Sequence, residues 1–428
     1  MSVAPHTQPV AARDDGALAR TIVFLAIFAL AIVTLHPFAD LREELSDSPI
    51  LGRDSLMYFG FFGLATSGFV LARRYAAPAF AALTQPALIG LVGWIVISSL
   101  TSYDPATSIK RASLMLAVIA GAAATPLLPR GRSEMAQLIA ISAIIPLALS
   151  YFGVVLMPDL SIHSLADTAE PDLAGAWRGI FAHKNVASPV MGCFAFFGLY
   201  VAGEGRKGLG YGIAAASILF LVFTNGKTSS ALWLPALILG AFSVRAAGSF
   251  LFSALVLAPP LVMNALGFLA QLFEPLHKLA SSLPFDSTFT GRSEVWAFVA
   301  PRMMERLWTG RGFGAFWDDP SIRFSTEDGW ATQASHAHNG YVDATLSMGL
   351  IGLALTLWVF VVQPFRDLSV ARTHGDPALT ILCARIWIYG VWVSSLESFI
   401  YDRADPMWFL FLFAVFALRY LATFRPAP

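Results

Sequence analysis

The sequence predicts an all-α polytopic membrane protein with about twelve transmembrane helices and a large helical loop inserted between spans 9 and 10. Three observations carry that reading. Of 428 residues, 56% are hydrophobic and only 13% are charged, where a soluble domain carries roughly 25% charged residues. Apolar runs of spanning length recur from end to end. Basic residues concentrate in alternate loops between those runs, which is the orientation signal of membrane helices.

The runs lie near 21–38, 55–72, 80–99, 112–128, 135–156, 186–203, 209–223, 229–244, 248–268, 340–362, 378–397 and 406–423. The first follows Arg13 and Arg20 and ends in His36-Pro37-Phe38 without a small-residue cleavage site, so it reads as a retained anchor. No repeat or low-complexity linker divides the chain, so residues 1–428 read as one transmembrane domain, with 269–339 as the inserted periplasmic helical loop. Short loops rich in Arg (Arg73-Arg74, Arg130 with Arg132, Arg206-Lys207, Arg245, Arg366 with Arg372) and the tail with Arg419 and Arg425 fall on one side. Placing them inside puts both termini in the cytoplasm and every long polar segment outside, in a bacterium the periplasm.

Composition also excludes functions. Lys plus Arg equals Asp plus Glu at 28 each, and without a basic block the chain lacks the footprint of a nucleic-acid binder. Cys193 and Cys383 sit in apolar runs, so neither a disulfide framework nor a CxxC metal site is present. The runs read as nearly free of charge. Arg385, about two turns into the eleventh, is the exception, and its long stem allows snorkelling. A transporter would need a polar mid-membrane cavity, so chemistry is expected at the outer face.

The outer loops hold four segments of note. Arg292 to Trp308 reads as one amphipathic helix, continuous or broken at Pro301, its apolar face formed by Val295, Trp296, Val299, Met303 and Leu307, with Thr288 or Thr290 as cap. Thr309-Gly-Arg-Gly-Phe-Gly314 has the glycines of a phosphate loop but no preceding strand and no following Lys-Ser/Thr, so a tight turn is expected. Ser335-His-Ala-His-Asn-Gly-Tyr341 opens the tenth run. Its histidines could cap that run, ligate a metal with a third ligand such as His183 or Glu327, or act as a general base, since neutral imidazole accepts a proton near pH 7. Ala176-Trp-Arg-Gly-Ile-Phe-Ala-His-Lys-Asn185 places Arg178, His183 and Lys184 at a membrane rim beside Trp177 and Phe181. That is either an interfacial belt or an anion grip. Lys227, in Thr224-Asn-Gly-Lys-Thr-Ser-Ser230, stands at the start of the eighth run, where helix N–H groups favour anions.

Together Arg178-Gly-Ile-Phe-Ala-His-Lys-Asn185, Gly291-Arg292 with Trp296, Gly310-Arg-Gly-Phe-Gly314 and His338-Asn339-Gly-Tyr341 resemble the O-antigen ligase and exopolysaccharide polymerase superfamily of bacterial inner membranes. Ser102-Tyr-Asp-Pro-Ala-Thr-Ser-Ile-Lys-Arg111 is also similar to the family's pattern. The resemblance implies a metal-independent, inverting, lipid-dependent glycosyltransferase with no cofactor. It would take a saccharide from undecaprenyl pyrophosphate and pass it to a lipid-linked repeat (polymerase) or to lipid A core (ligase); the polymerase is the leading expectation. Membrane lipids would hold the donor's polyprenyl tail. By the same resemblance Arg178 and Arg292, with Lys227, would hold the pyrophosphate and His338 would lie at the reacting centre. His183, Lys184, Asn185, Arg311, His336, Asn339 and Tyr341 would support them. The sequence departs from the family pattern at Lys227, where Arg is common, and at Arg311, where an aromatic is frequent.

Overall fold

A computed structural model describes residues 16–33, 37–41, 51–167, 170–282, 292–324 and 334–424, with the backbone alone at 51–56 and at 374. The helices in chain order are α1 (Ala17–Ile32), α2 (Leu51–Leu71), α3 (Ala76–Leu83), α4 (Pro86–Leu100), α5 (Pro105–Ala124) and α6 (Arg132–Leu156). Then come α7 (Lys184–Gly203), α8 (Lys207–Phe223), α9 (Lys227–Ala246), α10 (Phe250–Leu266), α11 (Glu274–Ser282) and α12 (Arg292–Glu305). The chain closes with α13 (Pro320–Arg323), α14 (Gly340–Leu357), α15 (Gln363–His374), α16 (Pro377–Val393) and α17 (Pro406–Thr423). The fold is all-α, as expected.

Among the described residues seven helical segments are long and apolar enough to cross a membrane, or eight if the bent pair of α3 and α4 counts as one span. Four shorter apolar helices, α1, the 57–71 part of α2, α8 and α16, occupy the remaining expected runs. The run at 80–99 is not one straight helix: it bends by 76° between α3 and α4. The cause is local. Pro86 disfavours helical geometry at the residue before it, and Gln85 is extended, with ψ 141°.

Burial separates central from lipid-facing helices. The membrane-length windows of α17 and α7 are 89% and 83% buried, against 28% for α9 and 22% for α10. The centre is therefore α7 and α17, while apolar side chains such as Phe250 and Leu251 on the rim are exposed, as lipid contact requires. Gly198 of α7 and Gly210 of α8 face one another so closely that a Cβ on Gly198 would come within 2.6 Å of the Gly210 carbonyl oxygen. Small residues at such crossings bring helix backbones together in a membrane.

The inserted segment forms a helical cap over the start of α14. The expected apolar face of α12 is buried at Val295, Trp296, Val299 and Met303, each contributing about 1.5–3 kcal/mol. Of the two readings at Pro301, the continuous one holds: α12 runs through it and ends at Glu305. The caps proposed at Thr288 and Thr290, with Gly291 and Glu327, lie outside the described residues.

The glycine-rich turn has a structural task. α14 is interrupted at Gly349, with φ 66°, and the turn docks there. Arg311 and Gly312 N–H groups donate to the Leu346 and Ser347 carbonyls at 2.9 and 3.0 Å. Gly310, at φ 69°, lies against the backbone of Ser347 and Met348, where no side chain fits. Freed backbone groups inside a membrane helix must be satisfied by neighbouring protein, and this turn does so.

Candidate functional site

Three long helices begin at the loop-bearing end, and their N-termini carry the functional side chains. His183 caps α7 by accepting the Asn185 N–H on Nδ1 at 3.0 Å. Its Nε2 therefore carries the proton and donates to Glu170 at 2.6 Å. One step further in, His163 repeats the arrangement: Nε2 accepts the Lys184 N–H at 3.3 Å and Nδ1 faces Asp167 at 2.9 Å. Hydrogen bonding to His183 holds Glu170 below the ordinary carboxylate range, against the opposing effect of burial. Asp167 is also held low: burial pushes it up, but bonds from His163 and Ser164 outweigh that.

The Lys184 ammonium donates to the Asn225 carbonyl at 3.4 Å, tying α7 to the turn that opens α9. Lys184 lies within electrostatic reach of Glu397, Glu170, Lys227 and Arg292. Lys227 begins α9, whose N-cap, Gly226, offers no side-chain bond. First-turn N–H groups there add positive potential.

Arg292 opens α12 and reaches Glu397, Nη2 to Oε1, at 2.8 Å; the two side chains are 13% and 11% exposed. The other Glu397 oxygen lies 3.6 Å from Nδ1 of His338, just beyond hydrogen-bond reach. Burial pushes the Glu397 carboxyl up, but His338 and the Arg292 guanidinium more than offset it and hold it below its usual range. His338 itself sits in the left-handed region, φ 48°, a conformation uncommon outside glycine.

What holds His338 there is the chain around it. Asn339 is fully buried and caps α14 through the Tyr341 and Val342 N–H groups. Its own N–H donates to Ser398 at 2.8 Å, and its amide donates to Asn264 at 2.8 Å. Asp343 accepts the Ala337 N–H at 3.1 Å, the Trp317 indole at 2.8 Å and the Ser398 hydroxyl. The 336–339 segment is thus fixed from both sides. His336 packs its ring 4.2 Å from that of His338, and burial lowers its pKa to about 4.

The structure gathers Arg292, Lys184, Lys227, His183, His336 and His338, with Asn185 beside them on α7. Three of the expected site residues are held by bonds within the protein. Arg178 is 1% exposed and donates to the carbonyls of Phe181 at 3.1 Å and Ala39 at 2.5 Å, fastening its loop to residue 39. Arg311 is engaged by Glu305 and by Asp319 and braces the glycine turn. Tyr341 donates to the Val391 carbonyl at 2.8 Å, a packing role. Trp177, half-buried, stacks on the exposed Phe223 with centroids 4.4 Å apart.

Sequence reading missed His163, Asp167 and Glu170 in the loop before α7, and Glu397 and Asp343 at the edges of expected spans. The last two are acids within runs expected to be free of charge, where an ionisable group is costly and marks a functional position. Among the described residues, no group of three or more His, Cys, Asp or Glu side chains is arranged to hold a metal ion.

Fold and site together define a multi-pass, all-α membrane protein with a cationic, histidine-bearing centre at one end of its bundle. Comparison with known proteins agrees. The O-antigen ligase family model matches residues 192–357, a stretch that includes Lys227, Arg292 and His338. The exopolysaccharide production protein ExoQ of Rhizobium meliloti (strain 1021) is 27% identical over 221 residues, covering 48% of this chain and 50% of that protein. The chain thus spans about half the length of that relative. The chain is similar to the O-antigen ligase family over residues 192–357 and to an exopolysaccharide production protein.

Proposed function

We propose that the chain is a metal-independent, inverting glycosyltransferase that joins undecaprenyl-pyrophosphate-linked oligosaccharide repeats at the periplasmic face of a bacterial inner membrane, with both termini cytoplasmic. The observation that carries this reading is the Arg292–Glu397–His338 cluster within electrostatic reach of Lys184. Lys184 has Lys227 and Arg292 as cationic neighbours, against the carboxylates Glu170 and Glu397, so three cations are gathered where a dianionic head group would be held. The N-termini of α7, α9 and α14 add positive potential. A pyrophosphate would meet those cations and draw Arg292, whose planar fork matches phosphate oxygens.

The reaction follows from the same geometry. The acceptor hydroxyl passes its proton to Nε2 of His338, because Nδ1 faces Glu397. Its oxygen bonds the anomeric carbon as the bond from that carbon to the pyrophosphate oxygen breaks, and the electron pair leaves on the phosphate. Arg292, Lys184 and Lys227 stabilise the charge that builds there. Glu397 is a positioning residue that steadies the imidazolium. The polyprenyl tail stays among the spans.

The match to the O-antigen ligase family favours a second reading, transfer of a finished glycan to lipid A core, while the likeness to an exopolysaccharide production protein favours polymerisation. Deletion in the native host, followed by analysis of lipid-linked and surface glycans, tests both. Single lipid-linked repeats are the expected intermediate. Long lipid-linked chains beside bare lipid A core would establish the ligase instead, and an unchanged glycan profile would refute both.

A further inference from the structure

Beside the cationic cluster lies a cavity of about 710 Å³. His336, Trp317, Tyr401, Asp402, Arg403 and Ser335 are among the residues lining it. None of Arg292, Lys184, Lys227 or His338 lines it. The two regions meet at the 336–338 segment: His336 belongs to the cavity wall, and its ring touches that of His338. Asp343 and Ser398, also in the wall, hold the Ala337 and Asn339 N–H groups between them. The partition is therefore rigid, and one side differs from the other in chemistry.

The cationic side suits a pyrophosphate. The cavity side offers mixed carboxylate, guanidinium and hydroxyl groups with aromatic rings, a set that bonds many hydroxyls and stacks on apolar C–H faces. Its volume falls in the range of about 300–1,000 Å³ typical of small-molecule sites, enough for the last sugar rings of a glycan. Inversion at an anomeric carbon requires nucleophile and leaving group on opposite faces. A leaving group on the cations and a nucleophile in the cavity satisfy that requirement across the histidine pair.

We propose that this cavity is the acceptor site, and that it takes the hydroxyl-bearing terminus of a saccharide, with His336 as a wall against it. The inference rests on the glycosyltransferase reading above and adds which surface holds which substrate. The cavity takes the sugar rings, and the terminal hydroxyl extends past His336 to Nε2 of His338, giving its proton there and its oxygen to the anomeric carbon, while the electron pair of the broken bond leaves with pyrophosphate on the far side.

The test measures two ligands separately on the full-length protein in detergent: undecaprenyl pyrophosphate, and the host's repeat oligosaccharide released from its carrier by mild acid. Ser335 is exposed, so Ser335→Trp should fill the cavity mouth without disturbing a buried contact. Loss of the hydrogen bonds it blocks should weaken oligosaccharide binding about tenfold or more while undecaprenyl pyrophosphate binding holds. Arg403→Ala should act in the same direction and decides the matter if Ser335→Trp fails to fold. Unchanged oligosaccharide binding in Arg403→Ala and a folded Ser335→Trp, or none in the wild type, overturns the inference. Arg292→Ala should show the converse pattern. If it binds undecaprenyl pyrophosphate normally, the donor-site reading fails whatever the cavity variants show.

Discussion

Replacing Glu397 by Gln separates positioning from binding. The substitution keeps the volume of a side chain only 11% exposed and removes a charge that Arg292 meets at 2.8 Å and His338 at 3.6 Å. Leaving a buried guanidinium without its carboxylate costs on the order of 3 kcal/mol. The Gln amide oxygen can still accept from Nη2 and recovers about 1 kcal/mol. The variant should therefore fold with lowered thermal stability. Transfer suffers more: with no carboxylate to steady the imidazolium, kcat should fall about 10²-fold. Donor KM should not rise, because Arg292 is released toward the pyrophosphate. Glu397→Asp should restore part of kcat. The assay is transfer by purified protein with a lipid-linked donor, with kcat and donor KM measured separately. An unchanged kcat in folded Glu397→Gln, or a loss confined to donor KM, would refute the positioning role.

Further expectations follow from the same contacts. His338→Ala should abolish transfer while undecaprenyl pyrophosphate still binds, whereas His336→Ala should be milder; retained transfer in His338→Ala removes it as the base. Arg178→Ala should cost about 3 kcal/mol by deleting a buried, hydrogen-bonded charge, so thermal unfolding moves while donor affinity per folded molecule does not; a selective loss of donor affinity would return Arg178 to the site. Because the His336 pKa is lowered to about 4 from the ordinary 6.5, the native state binds fewer protons than the unfolded chain between those values. Stability is then full above about pH 6.5 and falls by on the order of 3 kcal/mol toward pH 4. Thermal melts across that interval should show a slope that His336→Gln reduces, and an equal slope in both proteins would contradict it.

Much of the fold was legible because membrane helices announce themselves by hydropathy over a spanning length. Helical segments occupy all twelve expected runs. The bend at Gln85-Pro86 had a local signal in Pro86 that hydropathy alone passes over, whereas the closure of the glycines at 310 and 312 onto a broken α14 was hidden because that partner is remote in the chain. In the site, the motif residues Arg292, Lys184, Lys227 and His338 converge because each stands at or beside a helix start. Arg178 carries the same motif signal as Arg292, yet its guanidinium turns inward to carbonyls, and no pattern of residue types distinguishes an arginine that grips from one that fastens. Glu397 and Asp343 were hidden for a different reason. Each sits at the edge of an apolar run, where its charge is averaged away by the hydropathy of its neighbours.

The most direct measurement of the central claim is transfer by the purified protein in liposomes containing undecaprenyl-pyrophosphate-linked repeat, with EDTA present, read as product length and anomeric configuration. The expected result is a longer lipid-linked glycan with inverted configuration at the new linkage and release of undecaprenyl pyrophosphate. Retained configuration, or transfer only after a divalent cation is restored, would contradict the mechanism built on His338 and Arg292.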